Sequence, residues 1–313
     1  MRILITGSTG FLATSFARFA ARRGHKVTGI GRASEPSGDW PGAYFQVNND
    51  VVRTTEVIDR FSPEILFHGA GTASVGASFE DPLQDFEGSV LTCEKLFAAV
   101  QRSTCRPLIF VPSSAAVYGN AESLPINESA PLRPISPYGV HKSICESLAR
   151  GWAEAFGLRI VICRFFSLFG PGQRRLLIWE LFQQLSQTVE HVTIEGTGSE
   201  SRDFLCVDDA ADAFLQMAEA LFQAPAGYFE IVNLASGEQT TVAALAEHLR
   251  QLLAPGKEIR YRGLVRPGDP LCWQADIRKL TSIIPDWRPQ SLFDALEMCI
   301  DSWQQSAILH HGA

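Results

Sequence analysis

Met1-Arg2-Ile3-Leu4-Ile5-Thr6-Gly7-Ser8-Thr9-Gly10-Phe11-Leu12-Ala13 opens the chain and decides its fold. Ile3 to Thr6 is a short apolar run with β-branched residues, the pattern of a buried strand, and Gly7 and Gly10 break it into a turn. Phe11, Leu12, Phe16, Phe19 and Ala20 then recur at helical spacing as far as Arg23. Strand, glycine turn and helix, in that order, are the context a dinucleotide-binding glycine motif requires. Bare backbone at Gly7 and Gly10 lets a pyrophosphate approach the helix N-terminus, where free N–H groups and the dipole favour an anion. The turn Gly7, Gly10, Phe11 and Leu12 is therefore the candidate pyrophosphate site. Its spacing, Gly-x-x-Gly-x-x-Ala, differs from the three-glycine fingerprint of long-chain dehydrogenases.

The same alternation continues along the chain. Strands are predicted at Ile3–Thr6, Lys26–Ile30, Ile65–His68, Leu108–Pro112 and Arg159–Arg164, and helices at Phe11–Arg23, Thr54–Arg60, Leu83–Arg102 and Tyr138–Phe156. Strands alternating with helices imply right-handed crossovers and a doubly wound parallel sheet, with ligands at the strand C-terminal ends. After Gly170-Pro171-Gly172 the pattern changes. Helices are predicted at Arg174–Gln187, Val207–Phe222 and Thr241–Leu253, with a strand at Phe229–Asn233 and a Pro/Gly-rich stretch at Gly263–Pro270. The expected organisation is an α/β nucleotide-binding domain over residues 1–169 and a smaller α/β substrate lobe over 170–313. His310-His311 reads as a loose tail.

Bulk composition limits the function. The 313 residues carry 27 Lys and Arg against 34 Asp and Glu, a net charge of -7. That balance argues against a nucleic-acid surface, which needs clustered positive charge. No apolar run reaches the ~18 residues of a membrane span, and the first strand already carries the glycine turn, so no signal peptide is expected. Seven scattered cysteines without Cys-x-x-Cys spacing suit reduced core thiols in a cytoplasmic protein rather than a metal site.

Ser136-Pro137-Tyr138-Gly139-Val140-His141-Lys142 holds the candidate chemistry. A phenol ionises near pH ~10 and is a poor base at neutrality unless its anion is stabilised. Lys142 lies one helical turn beyond Tyr138 on the same face and can supply that charge. Together with the opening turn, Ser113-Ser114-Ala115-Ala116-Val117-Tyr118-Gly119 and this pair resemble the extended short-chain dehydrogenase/reductases. More narrowly, they resemble the nucleotide-sugar epimerase, dehydratase and ketoreductase group. His68-Gly69-Ala70-Gly71, Arg164 to Gly172, Arg202-Asp203-Phe204 and Arg266-Pro267-Gly268-Asp269 extend the likeness to about Trp303.

The resemblance implies a Rossmann-like fold, an NAD or NADP cofactor, a nucleotide-diphosphate sugar as substrate, and residue roles. Ser114 and Tyr138 would meet the reacting sugar oxygen, and Lys142 would hold the nicotinamide ribose while lowering the Tyr138 pKa. Asp50 and Val51 would meet the adenine, and Ala70 and Gly71 the pyrophosphate and ribose. Tyr118, which has no lysine at the right spacing, would wall the sugar pocket, while Ser113 is structural. Arg202 and Arg266 would clamp the substrate diphosphate. Ser167 and Ser89 stand where asparagines are usual, and His141 where a small hydroxyl residue is common. The resemblance also implies a homodimer through a four-helix bundle of Leu83–Arg102 and Tyr138–Phe156, with Leu96, Ile144 and Leu148 as permissive apolar positions.

Two choices stay open. The second strand ends without the acid that normally bonds the NAD ribose, and Arg32 with Ser34 suits the 2′-phosphate of NADP; Arg32 stacking on the adenine of NAD is the alternative. Ala115 and Ala116 occupy the positions of the 4,6-dehydratase acid pair and cannot move protons, which disfavours dehydration. A C4 epimerase and a 4-ketoreductase remain nearly even, with a catalytically silent dinucleotide-binding regulator as the alternative from another class.

Overall fold

The computed structural model describes residues 1–187, 190–264, 268 and 270–311, the last six as backbone alone. The first half contains β1 (Arg2–Thr6), α1 (Phe11–Arg22), β2 (Lys26–Gly31), β3 (Ala43–Gln46), α2 (Val51–Phe61), β4 (Ile65–His68), α3 (Val75–Glu80) and α4 (Pro82–Phe86). A π-turn at Glu87–Leu91 joins α4 to α5 (Thr92–Arg102), followed by β5 (Leu108–Ser114), α6 (Pro137–Phe156) and β6 (Arg159–Phe165). The second half contains β7 (Ser167–Phe169), α7 (Leu177–Ser186), β8 (His191–Ile194), β9 (Ser201–Arg202), β10 (Phe204–Cys206) and α8 (Val207–Ala220). It ends with β11 (Phe229–Leu234), β12 (Thr240–Thr241), α9 (Val242–Leu253), β13 (Glu258–Tyr261), α10 (Arg278–Ile283) and α11 (Leu292–His311).

Seven strands form one sheet in the order β11-β6-β5-β4-β1-β2-β3, and every pair is parallel. Period-2 alternation sends Ile3 and Ile5 to one face and Leu4 to the other. On the first face α1 and α8 cover the sheet. Phe214 of α8 packs 4.1 Å from Phe16, 5.0 Å from Phe67 and 4.3 Å from Phe110, ring centre to ring centre. On the second face, Val57 of α2, Phe97 of α5 and Ala149 of α6 bury Leu66, Ile109 and Ile160. Strand order reverses between β1 and β4, and that switch point opens the crevice in which such sheets bind ligands.

The expected doubly wound sheet is present, and several local readings are corrected. β11 pairs with β6 in parallel, so residues 229–234 complete the nucleotide sheet. The chain therefore crosses the boundary drawn at residue 169 and returns, and α8 and β11 do not belong to a separate lobe. The remaining lobe has its own core of Leu181, Phe182, Ile194, Leu245, Leu296 and Trp303. The helix expected across Leu83–Arg102 is interrupted by the π-turn, and Leu176, at φ 72°, delays α7 to Leu177. β3 has no sequence signal because its four residues, exposed at Ala43 and Gln46 and half-buried at Tyr44 and Phe45, do not alternate. The tail read as loose continues α11 in helical backbone through His311.

Candidate functional site

At the switch point lies a cleft of about 870 Å³, walled by Thr6, Gly7 and Gly10 on one side and His68, Ala70 and Gly71 on the other. Gly7 has φ 73°, and a Cβ there would lie 2.6 Å from the Gly69 carbonyl and the Ala70 nitrogen. Only glycine fits that approach. Phe11 and Leu12 begin α1 directly after Gly10, which lines the cleft, and the first-turn N–H groups of that helix lack intrahelical acceptors. The opposite wall is Gly88, Leu91, Thr92, Lys95 and Leu96, so the π-turn supplies part of the surface.

A buried polar atom in the cleft also fits a ligand. Thr6 Oγ1 bonds His68 Nδ1 at 2.9 Å and accepts the Ala70 N–H at 2.9 Å. Burial, and then the Lys142 charge, pushes the His68 pKa down to about 3, so the ring is neutral. Its buried Nε2 has no hydrogen-bond partner among the described residues. A glycine cradle, free amides and a waiting ring nitrogen together fit a dinucleotide along Gly7, Gly10, Ala70 and Gly71.

At the adenosine end the cleft is lined by Arg32, Val47, Asn49 and Thr54. The Arg32 side chain has no ion-pair or hydrogen-bond partner among the described residues. Asp50, expected at the adenine, caps α2 by accepting the Arg53 N–H at 2.8 Å, and Val51 packs against the core beneath.

The catalytic candidates converge at the end of β5. Ser114 is its last residue, and Ser114 Oγ accepts the Ala116 N–H at 3.2 Å. Ser136 caps α6 and Pro137 starts it, setting Tyr138 and Lys142 on the turn that faces β5. Gly139 is required there, since a Cβ would fall 2.6 Å from the Ala116 carbonyl oxygen. Lys142 Nζ donates to the Pro112 carbonyl at 3.1 Å and lies 5.6 Å from the Tyr138 ring centre. Burial opposes its charge, but Tyr138, Cys145, Cys93 and Asp85 outweigh that effect and the Lys142 pKa shifts upward. The Tyr138 hydroxyl has no partner among the described residues.

Tyr118 requires correction. It is 1% exposed, accepts from Arg164 Nη1 at 2.8 Å and donates to Asn233 Oδ1 at 2.7 Å. Burial pushes its pKa up to about 12, so it is neither a pocket wall nor a rival acid/base. Ser113 is structural as expected, donating to Glu146 Oε1 at 2.5 Å.

On the substrate side, Ser167 opens β7 half-buried, its N–H bonded to the Asp203 carbonyl at 2.9 Å. Arg202 lies over Trp273, 5.6 Å from the ring centre, and donates to the Ser201 carbonyl at 2.9 Å. Asp203 faces inward and accepts from Ser236 N–H and O–H, Gly237 N–H and Ala275 N–H; burial nonetheless raises its pKa to about 6. Arg266 lies outside the described residues.

Sequence reasoning flagged His141 and Ser89 only as departures, yet they sit in one network. His141 Nδ1 is 2.6 Å from Asp85 Oδ2, Thr72 Oγ1 donates to Asp85 Oδ1 at 2.5 Å, and Thr72 Oγ1 is 2.7 Å from Ser89 Oγ. No sequence signal marks Asp85, because its partners Thr72 and His141 lie on other elements.

The sequence model of the NAD dependent epimerase/dehydratase family matches residues 3–235. The chain belongs to that family. A UDP-glucose 4-epimerase of Mycolicibacterium smegmatis is 28% identical over 78% of this chain and 80% of its own. The solved UDP-N-acetylglucosamine 4-epimerase of Methanobrevibacter ruminantium superposes with a TM-score of 0.84 at 26% identity, covering 97% of this chain and 98% of that one. The NDP-hexosamine 5,6-dehydratase TunA does so with a TM-score of 0.84 at 27% identity, covering 97% and 98%. Membership of the epimerase/dehydratase family makes the protein an NAD-dependent enzyme of that type. Among the described residues no helix is long and apolar enough to cross a membrane, and all seven cysteines are free.

Proposed function

We propose that the protein is a 4-epimerase of a sugar carried on a nucleoside diphosphate. The observation that carries this reading is the unpartnered Tyr138 hydroxyl beside Lys142 at the end of β5, next to Ala115 and Ala116 where an acid pair would be needed for elimination. Ser114 bonds the C4 oxygen, and Tyr138 takes its proton and returns it. Lys142 places its positive charge beside the phenol, 5.6 Å from the ring centre. A nicotinamide dinucleotide held along Gly7, Gly10, Ala70 and Gly71 would supply reversible hydride transfer at C4. Arg202, and Arg266 by its motif, hold the diphosphate. The free thiols suit the cytoplasm, and exposed Leu83, Phe86 and Val140 on α4 and α6 suit a homodimer through those helices. Leu96 does not serve there, being buried in the sheet-facing core.

Incubation with UDP-glucose, UDP-galactose and their N-acetyl analogues in deuterated water tests the reading. Epimer formation without deuterium at C5 is expected, because C4 hydride transfer leaves C5 untouched. Deuterium at C5 with loss of the C6 hydroxyl would restore the dehydratase. Bound dinucleotide without turnover of any of these sugars would favour the silent regulator.

One observation favours a second reading, a 4-ketoreductase that consumes NADPH: the unpartnered Arg32 at the adenosine end of the cleft. Arg32→Asp should shift the ratio of NADPH to NADH dissociation constants toward NADH, since it replaces a 2′-phosphate ligand with a ribose-hydroxyl acceptor. Fluorescence titration of both cofactors reads the ratio, and an unchanged value would remove Arg32 from the ribose pocket.

A further inference from the structure

Asp85 is 3% exposed, on a short helix with no role in the chemistry described above. Both of its carboxylate oxygens are engaged, one by Thr72 at 2.5 Å and the other by His141 at 2.6 Å. The two partners stand on different functional elements. Thr72 lines the dinucleotide cleft, directly after Gly71. His141 lies on the catalytic helix between Tyr138 and Lys142, with Phe86 edge-on against its ring at 5.5 Å. Ser89, on the π-turn, completes the group through Thr72. Asp85 and Ser89, four residues apart and so on one face of this helical stretch, reach the same hydroxyl.

A buried carboxylate is costly unless it is hydrogen-bonded and balanced by charge. Lys142 is a nearby buried cation, only 8% exposed and bonded to one carbonyl, and a Cβ on Gly71 would come 3.7 Å from its Nζ. We propose that Asp85, locked by His141 and Thr72, is a positioning residue that ties the catalytic helix to the cofactor wall and so fixes where Lys142 stands. The titratable groups around Lys142 are Tyr138 and Cys145 on α6, Cys93 on α5, Asp85 on α4 and His68 on β4. Asp85 is a carboxylate among them, and Glu146, one turn beyond Lys142 on α6, is already paired with Arg164. The Asp85 charge, after those of Tyr138, Cys145 and Cys93, helps raise the Lys142 pKa. The inference rests on the family's dinucleotide site and not on which sugar is turned over.

The test uses the full chain carrying Asp85→Asn, which keeps size and hydrogen-bonding capacity but removes the charge. NADH and NADPH affinities are read by fluorescence without any sugar, so the result stands even if the epimerase reading fails. Affinity for the preferred cofactor should fall about tenfold, as expected for a lost buried charge contact. Where a sugar is turned over, kcat should fall with little change in sugar KM. The alkaline limb of kcat should move to lower pH, because Lys142 without the Asp85 charge loses its proton sooner. His141→Ser, which frees the carboxylate without deleting it, should move each readout the same way by a smaller factor, and it serves if the first variant folds poorly. Asp59→Asn is the control. Asp59 anchors Ser103 and Thr104 at the far end of the sheet and should lower the melting temperature alone. If Asp85→Asn and His141→Ser also lower only the melting temperature, leaving cofactor affinity and the pH limb unmoved, the proposal is overturned and Asp85 is a staple.

Discussion

Tyr138→Phe should lower turnover by roughly 10²- to 10⁴-fold while leaving dinucleotide affinity within about twofold, the effect of deleting one positioned acid/base. The ring remains packed at the start of α6, where the Tyr138 N–H still donates to Ser78 Oγ at 3.1 Å, so only the hydroxyl is lost. Measurement of kcat alongside an NADH titration separates the two quantities. Near-normal turnover would contradict the role outright. It could not be transferred to Tyr118, whose hydroxyl is held in the core by Arg164 and Asn233.

Glu146→Gln should be the most destabilising single change within the frame of the site. Arg164 donates to both Glu146 oxygens, at 2.9 and 2.6 Å, and the two side chains are 2% and 5% exposed. The pair joins β6 to α6 one turn beyond Lys142, and the same carboxylate holds Ser113 next to Ser114. Removing one partner leaves an uncompensated buried charge, a cost of about 3–5 kcal/mol. Replacing both with methionine removes that penalty, so the double variant should be more stable than Glu146→Gln alone. Urea unfolding of the three proteins decides it, and a single-variant loss under ~1 kcal/mol would refute the argument.

Most of the sheet was legible because its strands are short apolar runs separated by turn signals, and β4 was read to the residue at Ile65–His68. The Tyr138–Lys142 pair was legible because helical spacing alone puts both on one face. Burial was not legible. Tyr118 has the composition of a pocket tyrosine, and only the long-range placement of Asn233, 115 residues away, makes it a core residue. Asp85 was invisible for a related reason: its partners at Thr72 and His141 are 13 and 56 residues distant. The linear domain boundary failed because pairing of β11 with β6 is a property of topology, not of the local pattern.

That pairing has a consequence for how the protein is made. Synthesis proceeds from the N-terminus, so β6 and the Phe16, Phe67 and Phe110 surface emerge from the ribosome well before α8 and β11 that cover them. At about 5–20 residues per second, the interval between Phe165 and Leu234 lasts several seconds. During it the nascent chain presents an unpaired parallel edge and a bare aromatic face, the two features most prone to association. The nucleotide half cannot finish folding while the ribosome is still translating it, and for those seconds the chain is a natural client for chaperones.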